Sequence, residues 1–341
     1  MPEPVIESKS TLRRTRRNPY GDLIHLLNQR YHDEWVRAEA LQYKLDRLRR
    51  LKLLPLIEWV GRVGRRLRSL LTRSKTRLGS QALTENAVPY FAPETVQVPN
   101  GLVSIVIPFK DRPELLRNCL RSLSASTCRR FEIILVDNGS TQPRTHHLLD
   151  RYAARAGVQV VAEPSPFNFA RLCNVGASRA AGDFLLFLNN DTEVLDRDWL
   201  EQMLKIVADP QVGVAGATLL YPDRTIQHAG LFQRSDGVWV HPYRGEAETA
   251  AGELSGPRSV PAVTAACLMI RRALFEEISG FDERFPVMCN DVDLCARVRQ
   301  RGLKVVVTPY ARMFHYESLS RGYTLDEVSE YTVPGREGPR A

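Results

Sequence analysis

The sequence predicts an α/β fold in which helices flank a mostly parallel central sheet, preceded by an α-helical extension. From residue 101 onward, short runs of consecutive apolar residues such as Phe184–Leu188 alternate with helical patterns. Such a run is too short for a helix and is typical of a strand buried on both faces. Strands that alternate with helices favour parallel pairing through right-handed crossovers.

The net positive charge of the chain comes from its first 100 residues. These hold 19 of the 47 Lys and Arg residues and 10 of the 39 Asp and Glu residues. The rest of the chain therefore holds 28 basic and 29 acidic residues and is nearly neutral. A basic appendage joined to a neutral domain places any attraction to anionic partners in the appendage.

Composition divides the chain into five regions. We predict a disordered basic tail over residues 1–20, an amphipathic, coiled-coil-like helical region over 21–78, a linker over 79–100, the α/β domain over 101–322 and a C-terminal tail over 323–341. The N-terminus lacks the apolar core of a signal peptide, and no apolar run reaches the length of a membrane span. The six cysteines show no Cys-x-x-Cys spacing, which is typical of reduced thiols. We therefore expect a cytoplasmic protein.

The helical region admits more than one interpretation. Apolar residues recur in steps of three and four from Asp22, and 11 basic residues but a single acid lie between Arg47 and Arg77. Residues 22–77 are thus suited to an anionic membrane surface, which would place the protein peripherally at the inner face of the plasma membrane, or to a partner enzyme. A solvated helix docked on the domain explains the pattern equally well. We expect no nucleic acid partner, because no binding fold surrounds these charges.

Polar residues follow three of the predicted strands of the domain. The strand that begins at Leu102 leads to Asp111, the strand Phe131–Val136 leads to Asp137, and Phe184–Leu188 leads to Asp191. The carboxyl ends of parallel strands share one edge of a sheet, so these carboxylates are expected to converge there as a ligand site. For Asn189–Asp191, the alternative is an ordinary polar turn.

The kind of site follows in part from the motifs that the sequence lacks. It contains neither the Gly-x-Gly-x-x-Gly fingerprint of dinucleotide-binding proteins nor a P-loop. Carboxylates at strand ends suit a divalent cation that bridges a diphosphate, since hard oxygen ligands favour Mg²⁺ or Mn²⁺.

An ordered set of short motifs links the domain to a known family. In chain order they are Ser104–Pro108 with Asp111, Val136–Ser140, Phe167–Ala177, Leu188–Asp191, Gln227–Gly230, Gly280–Phe285, Asn290–Cys295 and His315–Gly322. Together they closely resemble the family 2 glycosyltransferases of the GT-A fold, in the manner of rhamnosyltransferase-like, surface-polysaccharide members. Each motif alone is weak, but the ordered set is specific and covers roughly two thirds of the chain.

The resemblance implies a donor site at the strand ends. It implies that the nucleoside and nucleotide are bound by Pro108, Phe109, Asp111, Asp137, Asn174, Asn189 and Asn190. Asp191 stands at the last position of the family's Asp-x-Asp motif and would bind Mg²⁺ or Mn²⁺, with His315 as a further ligand; a structural role for His315 is the alternative. Asn189 replaces the first Asp of that motif, which leaves one negative charge fewer for the metal and puts strict metal dependence in doubt.

The resemblance also implies the catalytic machinery. Asp291 stands where the family has its catalytic base, and a plain N-cap is the alternative. Contacts with acceptor or diphosphate are expected from His228, Asp293 and Arg321, although a lone histidine or an exposed arginine is more often structural.

These implications predict an inverting, non-processive glycosyltransferase. It would move a sugar from a nucleoside diphosphate sugar to a hydroxyl on a lipid-linked bacterial surface glycan. A non-catalytic sugar-nucleotide-binding scaffold of a glycan assembly complex, motivated by Asn189, is the alternative. A nucleotidyltransferase is disfavoured, because the loop after the first strand, Pro108–Arg112, contains no glycine.

Overall fold

The computed structural model describes residues 88–90, 98–235, 237–248, 255–316 and 331–332. The predicted basic tail, the helical region of residues 21–78 and Arg321 lie outside these residues. In the part of the chain that is described, no helix is both long and apolar enough to cross a membrane.

Four adjacent parallel strands form one half of a mixed central sheet. In chain order they are β2 (Val103–Phe109), β3 (Phe131–Asp137), β4 (Val158–Ala162) and β5 (Phe184–Leu188). In the sheet they lie side by side in the order β4-β3-β2-β5. The crossover helices between them are α1 (Pro113–Leu123), α2 (Pro143–Ala153) and α3 (Phe169–Ala177). The predicted parallel arrangement is confirmed, and it places the loops after β2, β3 and β5 side by side.

Local sequence explains how the crossover helices begin. Proline occupies the first turn of α1 and of α2, where its missing N–H leaves no hydrogen bond unmade. Asn168 caps α3 by accepting a hydrogen bond from the Arg171 N–H at 3.0 Å. Helix α3 packs closely on β2, because Gly176 has no side chain to hold it away from Val106.

The other half of the sheet is mixed. Strand β12 (Cys267–Arg271) lies antiparallel between β5 and β7 (Val212–Leu220), and β13 (Lys304–His315) pairs parallel with β7. Shorter strands extend this half: β1 (Val88–Pro89), β6 (Thr192–Val194), β8 (Ile226–His228) and β11 (Arg258–Ser259). Helices α4 (Trp199–Val207), α5 (Arg272–Glu277) and α6 (Asn290–Gln300) complete it. A second, small sheet contains β9 (Phe232–Gln233), β10 (Val238–Val240) and β14 (Tyr331–Thr332).

Both faces of the central sheet are buried. Along β5, Leu186 packs in one hydrophobic cluster, whereas Leu185 and Phe187 pack in the cluster on the opposite face. This explains why β5 reads as a continuous apolar run and not as an alternating one. Within the predicted linker, Val88–Pro89 pairs with β11, and the buried Tyr90 donates a hydrogen bond to Asp209 Oδ2 at 2.8 Å.

The end of β13, the longest strand among the described residues, lies beside β6. Its last residues pair antiparallel with β6, so that His315 lies opposite Thr192. Because β6 follows the loop after β5 directly, this pairing brings a histidine from the end of the domain to the strand-end loop.

Candidate active site

The loops after β2 and β3 are hydrogen-bonded to each other. The Asp111 N–H donates to Ser140 Oγ at 2.8 Å, and the Asp111 carboxylate accepts from the N–H groups of Thr141 and Gln142 at 2.9 and 2.8 Å. Asp111 thereby ties its loop to the start of α2. It adopts a left-handed backbone conformation, with φ of 51°.

Asp137 keeps one carboxylate oxygen available. Oδ1 accepts from the N–H and the hydroxyl of Ser140, at 2.8 and 2.6 Å. Oδ2 has no hydrogen-bond partner among the described residues. Pro108 and Phe109, in contrast, are buried within β2, and Phe109 belongs to the core. Of the residues expected to hold the nucleoside, Asp137 therefore offers the clearest free acceptor.

The loop after β5 places two polar side chains, those of Asn189 and Asp191, next to His315. Asp191 Oδ1 and Asn189 Nδ2 each lie 3.2 Å from His315 Nε2, and both Asp191 and His315 are buried. Asn190 is also buried, and its Nδ2 has no hydrogen-bond partner in the described part of the chain. A turn formed only for chain reversal would not need to bury a charge and an unpartnered amide, so this geometry favours the ligand site over the polar turn.

Gln227 favours one tautomer of the His315 ring. Gln227 Oε1 lies 2.7 Å from His315 Nδ1, and Gln227 Nε2 donates to the His315 carbonyl at 3.4 Å. Nδ1 is therefore the protonated nitrogen, and Nε2 turns its lone pair toward Asp191. A histidine held in this way by a hydrogen bond at its other nitrogen is typical of a metal ligand.

Asp191 and His315 fit two adjacent positions around a divalent cation. Two ligands about 2.1 Å from an octahedral Mg²⁺ lie about 3 Å apart, close to the 3.2 Å between Asp191 Oδ1 and His315 Nε2. Within the described residues, no group of three or more His, Cys, Asp or Glu side chains could hold a metal. The described residues would thus supply two ligands to such a cation.

Asp291 lies in the first turn of α6. Cys289 occupies the N-cap position, so Asp291 is not the N-cap residue. Its Oδ1 accepts from the Val292 N–H at 2.8 Å, and its Oδ2 accepts from the Ala265 N–H at 3.3 Å. Burial raises the pKa of this carboxyl above its ordinary value, and the N–H donors offset part of that rise. A carboxylate with a raised pKa is a stronger base at neutral pH.

One backbone segment, Thr264–Ala266, connects Asp291 to the loop after β5. The Asn189 N–H donates to the Ala266 carbonyl at 3.0 Å, while the Ala265 N–H donates to Asp291. The candidate base and the candidate metal loop are thus held by consecutive residues. Sequence reasoning missed this segment, because short alanine-rich stretches carry no chemical signature.

Other expected site residues are engaged in contacts within the protein. Asn174 is bonded on both amide atoms to the backbone of Phe281, each at 2.9 Å, and also donates to Glu283 at 3.1 Å. Asp293 is buried and paired with Arg297 at 2.8 Å. These bonds secure the loop that leads to Asp291, and the ligand contacts expected of Asn174 and Asp293 stay predictions.

His228 is buried and bonded through both ring nitrogens. Nδ1 lies 3.0 Å from His241 Nδ1, and Nε2 accepts from the backbone of Gly230 and Thr264. The sequence analysis did not single out His241, which lies 13 residues further along the chain. The acceptor or diphosphate contact expected of His228 likewise stays a prediction.

Comparison with protein-family models identifies one match. The Glycosyl transferase family 2 model matches residues 104–279, just over half of the chain. These residues include β2, β3 and β5 and the loops that carry Asp111, Asp137 and Asp191.

Two curated relatives and one solved structure extend this comparison. The chain is 43% identical over 224 residues to the O-antigen biosynthesis protein RfbC of Myxococcus xanthus. The aligned region covers 64% of this chain but only 18% of RfbC. It is 25% identical over 252 residues to the N-acetylglucosaminyl-diphospho-decaprenol L-rhamnosyltransferase of Mycobacterium tuberculosis. That aligned region covers 64% of this chain and 76% of the relative. The crystal structure of GalNAc-T7 with UDP, GalNAc and Mn²⁺ superposes with a TM-score of 0.54 at 19% identity, covering 63% of this chain and 43% of that one. The predicted GT-A fold is confirmed.

Proposed function

The chain belongs to glycosyl transferase family 2, and on that premise we propose that it transfers a sugar from a nucleoside diphosphate sugar to a hydroxyl of a bacterial surface glycan. The names of its relatives, one an O-antigen biosynthesis protein and one a decaprenol-linked rhamnosyltransferase, support this substrate class. The observation that carries the proposal is the segment Thr264–Ala266. It holds a carboxylate of raised pKa, Asp291, next to the loop that presents Asp191.

The donor would be bound at the edge shared by β2, β3 and β5. Asp137 Oδ2 is suited to accept a hydrogen bond from the base, because Ser140 occupies only Oδ1. Asp191 and His315 would hold Mg²⁺ or Mn²⁺, and such an ion would supply positive charge to stabilise the departing diphosphate. The unpartnered Nδ2 of Asn190 is a donor suited to a phosphate or sugar oxygen.

Asp291 would act as the general base of an inverting transfer. The acceptor oxygen forms a bond to the anomeric carbon, the bond from that carbon to the diphosphate oxygen breaks, and the hydroxyl proton moves to the Asp291 carboxylate. Attack from the side opposite the diphosphate inverts the configuration of the anomeric carbon. The chain lacks the Gln-x-x-Arg-Trp motif of processive synthases, which supports one sugar per encounter. We propose a lipid-linked acceptor, as in the decaprenol relative.

Calorimetric titration tests the donor site. The full chain is titrated with UDP, dTDP and GDP, each with Mn²⁺ and with EDTA. We expect one nucleotide to bind only when Mn²⁺ is present, and we expect Asp191→Asn to weaken that binding. Asp150→Asn removes an exposed carboxylate from α2 and is the matched control. Binding that persists in EDTA removes the metal from the mechanism, and no binding of any nucleotide contradicts the donor site.

A transfer assay tests the reaction itself. The selected nucleotide is supplied as its sugar conjugates, with N-acetylglucosaminyl-diphospho-decaprenol as acceptor, and release of the nucleoside diphosphate is measured. Acceptor-dependent release supports a transferase. Nucleotide binding without transfer to this or to other glycan acceptors favours the scaffold, the second candidate, for which Asn189 is the specific observation.

We also propose that residues 22–77 bring a cytoplasmic enzyme to an anionic membrane surface or to a partner enzyme. Each basic residue near such a surface contributes about 1 kcal/mol. A vesicle sedimentation assay would compare two variants of the full chain. In the first, four basic residues of the helical region become Gln: Arg62, Arg65, Arg66 and Arg68. The control replaces four exposed arginines of the domain: Arg117, Arg121, Arg144 and Arg179. Equal binding of both variants to phosphatidylserine vesicles would contradict the membrane proposal.

A further inference from the structure

His228 contacts the backbone that holds the candidate base. It ends strand β8, is 1% exposed, and its Nε2 accepts hydrogen bonds from the N–H groups of Gly230 and Thr264, both at 3.3 Å. Two N–H groups that point at one ring nitrogen require a lone pair there. Nε2 is therefore unprotonated, and the ring proton lies on Nδ1.

His241 completes a directional pair with His228. Its Nδ1 lies 3.0 Å from His228 Nδ1, and the ring centroids are 5.0 Å apart in an edge-on arrangement. Because His228 Nδ1 carries the proton, His241 Nδ1 accepts it and the proton of His241 lies on Nε2. Burial lowers the pKa of both rings, so both are neutral at neutral pH. The backbone thus fixes the tautomer of His228, and His228 fixes that of His241.

Thr264 transmits this arrangement to Asp291. The Thr264 N–H donates to His228 Nε2, and Thr264 immediately precedes Ala265 in the chain. Thr264 Oγ1 also accepts from the Ala266 N–H at 3.3 Å, and the Ala265 N–H donates to Asp291 Oδ2. His228 thus holds the residue next to the one whose N–H contacts the carboxylate, and both ring nitrogens of His228 are bonded within the protein.

We propose that His228 and His241 are positioning residues that orient Asp291 through the backbone of Thr264 and Ala265. The role rests on the proposed function, since it assumes that Asp291 accepts the acceptor proton. It differs from the substrate contact that the sequence resemblance implies for His228. The proposed role requires a hydrogen-bond acceptor at the position of His228 Nε2. Another side chain with an acceptor atom at that position would therefore preserve part of the rate.

Two pairs of variants test the role in the transfer assay. His228→Gln keeps an acceptor near the Nε2 position, whereas His228→Leu removes it. His241→Asn keeps an acceptor near the Nδ1 position, whereas His241→Leu removes it. We expect both Leu variants to lower kcat by about 10²-fold with the donor KM unchanged, since a small misplacement of a reacting group has this effect. The Gln and Asn variants are expected to recover most of the loss.

The kinetic constants of the variants distinguish a positioning role of His228 from direct contact with substrate. Raised KM with unchanged kcat in the His228 variants would mean that His228 contacts substrate, and the proposal would be overturned. Unchanged kcat in both Leu variants would overturn it as well. If His228→Leu does not fold, the half-buried His241 supplies the test, because its replacement leaves the His228 ring in place.

A spectroscopic measurement on the wild-type chain is independent of catalysis. Histidine ¹⁵N spectra distinguish protonated from unprotonated ring nitrogens, and the variants assign the signals. We expect unprotonated Nε2 on His228 and unprotonated Nδ1 on His241; the opposite tautomer of either ring overturns the pair. The expected tautomers in a chain that transfers no sugar would instead contradict the proposed function.

Discussion

Replacing Asp291 by Asn separates proton transfer from donor binding. Asn has nearly the same shape, but its amide does not accept a proton at neutral pH. A positioned general base contributes about 10²- to 10⁴-fold in rate, so we expect kcat to fall by that factor. This corresponds to about 3–5 kcal/mol in the activation free energy. The donor contacts proposed for Asp137 and Asp191 are untouched, so the dissociation constant of the nucleotide should not change.

The stability of this variant depends on two opposing effects. Asn can accept from only one of the two N–H groups that Asp291 binds, those of Val292 and Ala265, and an unmatched buried donor costs about 1–3 kcal/mol. Burial raises the Asp291 pKa, however, so the ionised carboxylate itself destabilises the fold at neutral pH, and Asn removes that charge. We therefore expect the unfolding temperature to shift little.

The assay compares kcat, nucleotide affinity and unfolding temperature for Asp291→Asn and a control. Glu201→Gln makes the same charge change in the first turn of α4, where Glu201 accepts a hydrogen bond from Thr127. It should leave kcat unchanged. The assignment of Asp291 as base would be refuted if kcat of Asp291→Asn stayed at the wild-type value while the fold was intact. A loss of nucleotide binding in the same variant would place Asp291 in the donor site instead.

Three further predictions follow from the same geometry. Asn189→Asp adds a carboxylate beside Asp191, so calorimetry should show Mn²⁺-dependent nucleotide binding about tenfold tighter; unchanged affinity would mean that residue 189 does not face the metal. Because burial raises the pKa of Asp291, the acid limb of the kcat–pH profile should have its midpoint above 3.8, with activity lost as the pH falls; a midpoint at or below that value would contradict the burial argument. Gly176→Ala would place a methyl group 2.3 Å from Val106 Cγ1, so denaturant titration should show a loss of about 1–3 kcal/mol in unfolding free energy, whereas Gly256→Ala, with no atom within 4 Å, should be neutral.

The sequence predicted the parts of the site that follow from strand topology. A buried strand on each side of a crossover helix leads to a parallel pair, and parallel pairs collect their carboxyl ends at one edge. The loops that carry Asp111, Asp137 and Asp191 therefore follow three adjacent strands, while a shared ligand site for the three carboxylates stays a prediction. Their individual tasks differ, since the Asp111 carboxylate bonds the start of α2 while Asp137 keeps one oxygen available.

The sequence alone could not reveal which polar side chains are already satisfied. Asn174 lies in a motif that resembles the family, yet its amide is bonded to a loop more than 100 residues away. His241 has no neighbours in sequence that mark it, and its partner His228 is identified only by the 3.0 Å between the rings. A hydrogen bond depends on distances of a few tenths of an ångström, which no residue pattern encodes.

What the sequence determined by itself is the α/β class, the family and the strand-end loops, because apolar periodicity and motif order are local properties of the chain. Only the tertiary structure decided that His315 faces Asp191, since this contact depends on the antiparallel pairing of β13 with β6 across more than 100 residues. It also decided that two consecutive residues, Ala265 and Ala266, are hydrogen-bonded to Asp291 and Asn189 respectively. These bonds arise because β12 begins beside the end of β5. Local pattern predicts which elements form, whereas long-range packing decides which side chains meet.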